Sequence, residues 1–243
     1  MTKITQAFIF AAGRGSRMRP LTDTIPKPLV KINGKAIIDY IIEKLDKIES
    51  IQKIFINGFY LADQLEEHVK NLNNPKVIFS REFEKIETGG ALAFAKDKIN
   101  LNEPILTVNG DVLWQEKEGE SDIQNICESW NENDCEILLG LKKTEEYLGY
   151  DKDVDGGGDF ILENGDIFKF PDKKMSHVFV GLQIINPKIL ENSPSENCFS
   201  MSHFYKAALQ EGGLLNRIKA VELKGKYFHI GTVDAIKMTE KNI

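Results

Sequence analysis

The sequence predicts an α/β fold with a mainly parallel central sheet, and three observations carry that reading. The apolar run Ala7, Phe8, Ile9, Phe10 and Ala11 reads as a buried parallel strand, because strands covered on both faces show continuous rather than alternating hydrophobicity. Strand-like runs then alternate with helical apolar periodicity in βαβαβ order, which implies right-handed crossovers between parallel strands. The first strand ends in a glycine-rich turn. That turn therefore sits at the carboxyl end of the sheet, where open α/β sheets bind ligands.

The turn, Gly13-Arg14-Gly15-Ser16, is followed at once by Arg17 and Arg19, and Lys27 stands between Pro26 and Pro28. Glycine permits the backbone angles and the close approach that a phosphate cradle needs. Successive N–H groups in such a turn form a concave anion site, to which the cations add full charge. Two familiar loops are excluded. A dinucleotide fingerprint needs a third glycine where Met18 stands and an acidic residue where Lys31 and Lys35 stand. A P-loop needs Gly-Lys followed by Ser or Thr, and no such run occurs. The plain alternative is a strand–turn with surface arginines.

Composition bounds the rest. The chain has 243 residues, is 42% hydrophobic and carries a net charge of −6, enough apolar content for a core and too acidic for a nucleic-acid partner. Its cations are concentrated near the N-terminus, which suits a small polyanion. Cys127, Cys135 and Cys198 are odd in number and lack metal-site spacing, so buried free thiols in a reducing cytoplasm are expected. Residues 7–12 are too short for a signal peptide or membrane span. No repeat, low-complexity tract or linker divides the chain.

Along the chain, Ile37, Ile38, Ile41, Ile42, Leu45 and Ile48 recur at helical spacing within residues 36–48. Asp39 and Tyr40 suit either a ligand or ordinary helix-surface packing. Residues 53–57 read as a strand, 62–71 as a helix and 77–80 as a third strand. Gly89 and Gly90 open an Ala-rich helix over residues 91–98, where exposed backbone groups can read a nucleobase edge. Glu82, Glu87 and Thr88 precede it. A carboxylate there can accept from a ring N–H of uracil or guanine. The alternative for Glu87 and Thr88 is capping, with Thr88 bonded into the first turn.

Residues 104–108 form the next buried strand, ended by Asn109-Gly110-Asp111. A carboxylate at that end, beside a phosphate loop, suits Mg²⁺, which bridges carboxylate and phosphate while keeping several waters. An Asp in a simple turn is the alternative. Glu116, Glu118, Glu120 and Asp122 read as a solvated loop, residues 122–133 as a helix and 136–142 as a strand. Beyond Thr144, a hairpin is expected over 159–162 and 167–170 around Asn164-Gly165, with Gly149, Gly156, Gly157 and Gly158 mostly loop. Residues 177–185 form a strand closed by Asn186-Pro187, 201–210 an amphipathic segment and 218–223 a strand. Lys169, Lys173 and Lys174 suit a phosphate contact or an exposed basic turn. Thr232 caps a final helix that runs through Lys241.

The complete string AAGRGSRMRPLT followed by PKPL resembles the opening motif of the sugar-phosphate nucleotidylyltransferases. ETGGA, VNGD, VGLQIINPKIL and GKYFHIGT follow in that family's order over nearly the whole chain. NGFYLADQLEEHV, VNGDVLW and GDFILENGDI look most like the N-acetylmuramate-1-phosphate uridylyltransferases, while mannose-1-phosphate guanylyltransferases share most of the same letters. The resemblance implies a Rossmann-like three-layer α/β/α nucleotidyltransferase fold with a mainly parallel mixed central sheet. It implies one domain over residues 1–243, its nucleotide-binding part about 1–110 and its sugar-binding part about 111–243. Arg17 would be the catalytic arginine, Lys27 the α-phosphate lysine and Asp111 the catalytic Mg²⁺ ligand. Ala11, Ala12, Gly13, Gly15, Ser16 and Gly89 would join Glu82 and Thr88 around the nucleotide, with Asn109, Asp159 and Gly181 at the sugar.

Two departures from the family pattern matter. His229 stands where many members carry Asp as a second Mg²⁺ ligand, and imidazole is a poor partner for that ion. His229 is therefore expected as a phosphate or water-mediated contact. Phe168-Lys169-Phe170-Pro171 replaces the Glu-Lys-Pro of hexose enzymes, so their sugar contacts do not carry over. The expected reaction joins an NTP, UTP favoured, to N-acetylmuramate 1-phosphate in a monomer or small homo-oligomer. A hexose-1-phosphate enzyme using GTP or dTTP is the alternative, and a catalytically silent nucleotide-sugar sensor is the alternative from another class.

Overall fold

Strand β1 (Gln6–Phe10) is buried from Gln6 to Ile9, with Ala7 and Ile9 packed on one face of the sheet and Phe8 on the other. The computed structural model describes residues 3–151, 157–169 and 174–243. After β1 come a two-stranded ribbon, β2 (Lys31–Ile32) and β3 (Lys35–Ala36), then α1 (Ile37–Asp46), β4 (Lys53–Gly58), α2 (Ala62–Asn71) and β5 (Val77–Arg81). Next are α3 (Glu87–Phe94), β6 (Ile105–Asn109), β7 (Val112–Gln115), α4 (Asp122–Ser129), β8 (Ile137–Lys143) and β9 (Tyr147–Leu148). The chain closes with β10 (Ile161–Glu163), β11 (Asp166–Phe168), β12 (His177–Ile185), α5 (Ser202–Ala207), β13 (Leu214–Glu222), β14 (Lys226–His229) and α6 (Val233–Glu240).

Nine strands form one sheet in the order β5-β4-β1-β6-β12-β8-β13-β11-β10. β5, β4, β1 and β6 are parallel neighbours, and so are β8 and β13. β12 runs against both β6 and β8, and β11 against β13 and β10. All strands of the sheet thus point one way except β11 and β12, the mainly parallel mixed sheet expected. Isoleucines of α1 pack with Leu65 of α2 and Ile126 of α4 on one face, while Leu92 of α3 and Phe204 of α5 pack on the other. The result is three layers, α/β/α.

Several expectations are corrected by contacts far apart in sequence. α3 begins at Glu87 and ends at Phe94, so Gly89 and Gly90 lie in its first turn rather than ahead of it. Asp122 is not in a solvated loop. It is 1% exposed and accepts from the N–H groups of Lys224 and Gly225 at 3.1 and 2.8 Å. The short run after Asp111 becomes β7 and pairs with β14, where Trp114 stacks on Tyr227 at 5.7 Å. Of the cysteines, Cys135 is buried, Cys127 half-buried and Cys198 exposed. The 201–210 segment is helical over Ser202–Ala207. Gly156, Phe170, Pro171 and Lys173 lie outside the described residues. Among the described residues, no helix is long and apolar enough to cross a membrane.

Candidate active site

The carboxyl ends of β1, β4, β5 and β6 open into one cleft. β1 and β6 leave the sheet side by side, and Gly110 N–H donates to the Phe10 carbonyl at 2.9 Å. A Cβ on Gly110 would stand 2.7 Å from that same oxygen. Glycine is therefore required there, and its close passage delivers Asp111 beside the loop that follows β1.

That loop is anchored at one end and open at the other. Gly15 takes the left-handed conformation, φ 64°, and its carbonyl accepts from Met18 N–H at 2.8 Å and Thr22 Oγ1 at 2.7 Å. Met18 is fully buried. A Cβ on Gly13, by contrast, would meet nothing within 4 Å. A short helical turn over Lys27–Leu29 then returns Lys27 into the cleft, 8% exposed, with Nζ 2.7 Å from Asp111 Oδ2.

The end of β14 closes the other side. His229 Nε2 lies 3.8 Å from Asp111 Oδ2, and Ile230 N–H donates to the Asp111 carbonyl at 2.9 Å. A Cβ on Gly231 would stand 3.0 Å from both Arg17 Nη2 and His229 Cε1, so the bare glycine lets Arg17 reach across to this corner. Burial pushes the Asp111 carboxyl up. The charges of Lys27, His229 and Arg17 outweigh it and hold the group below the usual carboxylate range. Asp111 is thus an ionised carboxylate ringed by basic side chains.

Mg²⁺ can be tested against these donors. Lys27 and His229 both approach Oδ2 of Asp111, which leaves Oδ1 as a hard oxygen donor. Among the described residues, no cluster of three or more His, Cys, Asp or Glu could cage an ion. One carboxylate completed by phosphate oxygens and water is a usual Mg²⁺ environment at a nucleotide. The residues fit an ion that arrives with its nucleotide.

At the far end of the cleft, Asn57 at the end of β4 and Glu82 just after β5 meet. Asn57 Oδ1 accepts from Ala11 N–H at 2.6 Å, and its Nδ2 donates to Glu82 Oε1 at 2.6 Å. Glu82 is 4% exposed. Burial pushes its carboxyl up to about 7, against a smaller lowering by the Asn57 hydrogen bond.

Ala11, Ala12, Gly13, Gly15, Lys27, Glu82, Thr88, Asn109 and Asp111 line this cleft together. Ser16 and Arg17 are not among its lining residues; they are exposed, in the turn after Gly15. Other expected residues take different roles. The N–H groups of Gly89 and Gly90 both donate to the Phe199 carbonyl at 2.9 Å, and a Cβ on Gly89 would strike the Phe199 ring. They make room for the 197–199 segment rather than offering N–H groups to a base. Thr88 Oγ1 accepts from Met201 N–H at 3.0 Å, not from its own first turn. Gly181, φ 86°, leaves room for Asn109, whose side chain a Cβ would meet at 2.7 Å. Asp159 does not line the cleft. It accepts from Phe179 N–H at 2.9 Å and fastens the hairpin to β12. Asn57 was missed, although a polar residue closing the apolar run of β4 on the ligand edge was its signal.

The family model described as nucleotidyl transferase matches residues 6–152. The chain is 31% identical to the N-acetylmuramate alpha-1-phosphate uridylyltransferase of Caulobacter vibrioides, over 94% of this chain and 93% of that one. It is 29% identical to the mannose-1-phosphate guanyltransferase beta-A of Xenopus laevis, over 93% of this chain and 61% of the longer relative. Among solved structures, HddC from Yersinia pseudotuberculosis shares the fold with a TM-score of 0.75 at 24% identity, covering 98% of this chain and 99% of that one.

Proposed function

The chain belongs to the nucleotidyl transferase family, and from that premise we propose that it transfers UMP from UTP to N-acetylmuramate 1-phosphate, releasing pyrophosphate. The coarser reading is a sugar-1-phosphate nucleotidylyltransferase. The observation that carries the finer one is the full-length likeness to an enzyme named for that acceptor.

The acceptor's phosphate is already an anion, so its attack on the α-phosphorus needs no general base. The barrier lies in bringing two anions together and in the charge of the departing pyrophosphate. Lys27, held 2.7 Å from Asp111, draws the two reacting phosphates to one ammonium group. Arg17 and the loop N–H groups around Gly13 stabilise the leaving group, as fixed donors that need no reorganisation. When bound at Asp111, Mg²⁺ would neutralise phosphate charge and help align the displacement. Glu82, ionised, accepts from the ring N–H of uracil at the other end of the cleft.

N-acetylmuramate carries a lactyl ether with a carboxylate, so its site must leave room beside the sugar and offer a donor. Lys169, with its Nζ 5.3 Å from the Phe160 ring centroid, is the cation within the segment that departs from the hexose enzymes. The test is pyrophosphate release across a panel of nucleotides and sugar 1-phosphates. UTP with N-acetylmuramate 1-phosphate is expected to give the highest kcat/KM, by about tenfold or more over acceptors that leave a polar group unpaired. Equal or better turnover of mannose 1-phosphate with GTP would replace this reading with the guanylyl one. No pyrophosphate with any pair would favour a silent nucleotide-sugar sensor.

A further inference from the structure

One side chain connects the two ends of the nucleotide cleft. Asn57 uses both halves of its amide: Oδ1 takes the N–H of Ala11, and Nδ2 holds Oε1 of Glu82, each at 2.6 Å. Ala11 is the residue at which β1 becomes the glycine loop, and Glu82 is the buried carboxylate of the far wall. Asn57 itself is 3% exposed, so water does not compete for these bonds. Each of the three residues comes from the carboxyl end of a different strand, β1, β4 or β5. The strands themselves fix their spacing.

We infer that Asn57 is a positioning residue for nucleobase selection, orienting the Glu82 carboxylate toward the base while the same amide fixes the start of the phosphate loop. With Oε1 held by Asn57, Oε2 is the oxygen left to meet a ligand; no hydrogen bond to it is recorded among the described residues. An amide that accepts from a backbone N–H has only its NH₂ to turn toward Glu82. The orientation of Asn57 is therefore set by the loop, and the orientation of Glu82 is set by Asn57. A base seated on Glu82 and phosphates seated on the loop are registered to each other through this one group. A buried, fully bonded amide is well suited to such a task, since both of its alternatives leave a buried polar atom unpaired.

The inference rests on the nucleotidyl transfer reading but not on the identity of the sugar. Its test is equilibrium binding to the full chain, which remains informative if no acceptor turns over. Asn57→Asp keeps an oxygen for Ala11 N–H, removes the donor to Glu82 and sets a second carboxylate beside it. At pH 8.5, where the neighbouring carboxylates repel, the variant separates the two bonds. Dissociation constants are measured for UTP, CTP, GTP and ATP and for inorganic triphosphate. Wild type is expected to prefer one base by tenfold or more. In Asn57→Asp that preference falls to within threefold, while inorganic triphosphate stays within threefold of its wild-type value. A preference that survives the substitution overturns the inference. So does an equal loss for nucleotide and triphosphate, which is what a merely structural role would give. If Asn57→Asp does not fold, Glu82→Gln tests the other end of the link, because its side-chain oxygen still accepts from Asn57. A retained base preference overturns the inference, because Asn57 then orients no group that selects the base.

Discussion

Lys27 Nζ stands 2.7 Å from Asp111 Oδ2, joining two segments 84 residues apart. His229 approaches the same oxygen at 3.8 Å, and Arg17 reaches the corner left open by Gly231. One carboxylate is thereby surrounded by basic side chains from three stretches of chain. It cancels part of their charge and fixes their positions, and the excess positive charge suits a polyphosphate.

Arg17→Ala is expected to lower turnover by about 10²–10³, the usual effect of removing a donor aimed at developing charge. Arg17 is exposed, so the melting temperature should change little. Activity within a few-fold of wild type would remove Arg17 from the mechanism.

Under the proposed function, Asp111→Asn is expected to raise the Mg²⁺ concentration needed for half-maximal rate, because it would delete the hard anionic donor for the ion. His229→Ala should raise it less, since a ring nitrogen is a poor Mg²⁺ ligand. Titrating the rate against Mg²⁺ for both variants checks the order. A larger effect from His229 would reverse the assignment.

Glu82 makes stability depend on pH in a particular direction. Its carboxyl is pushed up to about 7 in the folded protein from an ordinary value of 4.5. The folded state therefore holds its proton more tightly than the unfolded state, and the stabilisation is fully present below about 4.5. It is lost as pH rises from there through about 7, a change on the order of 3 kcal/mol. Glu82→Gln should flatten this part of the melting profile and leave the variant more stable than wild type near pH 8. Parallel profiles for the two proteins would contradict the burial argument. Under the proposed function, the wild-type KM for UTP should also rise as pH falls below about 7, because the protonated group no longer accepts from uracil.

Gly110→Ala should cost both stability and rate. Its Cβ would be 2.7 Å from the Phe10 carbonyl, a backbone atom fixed by the β1–β6 ladder. Relief requires the 109–111 turn to move, at about 1–3 kcal/mol, and that movement carries Asp111 away from Lys27. Denaturant unfolding and kcat read the two effects, and a fully active, wild-type-stable variant would show that the turn adjusts freely.

What could be read from the letters depended on how local the cause was. α2 spans Ala62–Asn71 and β12 spans His177–Ile185, matching the ranges expected from periodicity, because apolar spacing and terminating residues lie inside each segment. β7 has no such marker. Its four residues are held by β14 and by the stacking of Trp114 on Tyr227, partners more than a hundred positions away. Asp122 shows the same limit: in a run of acids it reads as solvated, yet its carboxylate is enclosed by the Lys224-Gly225 turn.

For the cleft, the sequence alone determined which strand ends and which loop gather there. Parallel strand direction and crossover handedness in an α/β sheet follow from the βαβ alternation and chain chirality, so Gly13, Lys27 and Asp111 could be assigned to one edge before any coordinates. Only the tertiary structure decided what each group does on that edge. It showed that Gly89 and Gly181 leave space for Phe199 and Asn109. It also brought Asn57 between Ala11 and Glu82. The reason is physical: periodicity reports which face of an element is buried, whereas hydrogen bonds of less than 3 Å depend on how separate elements are packed against one another.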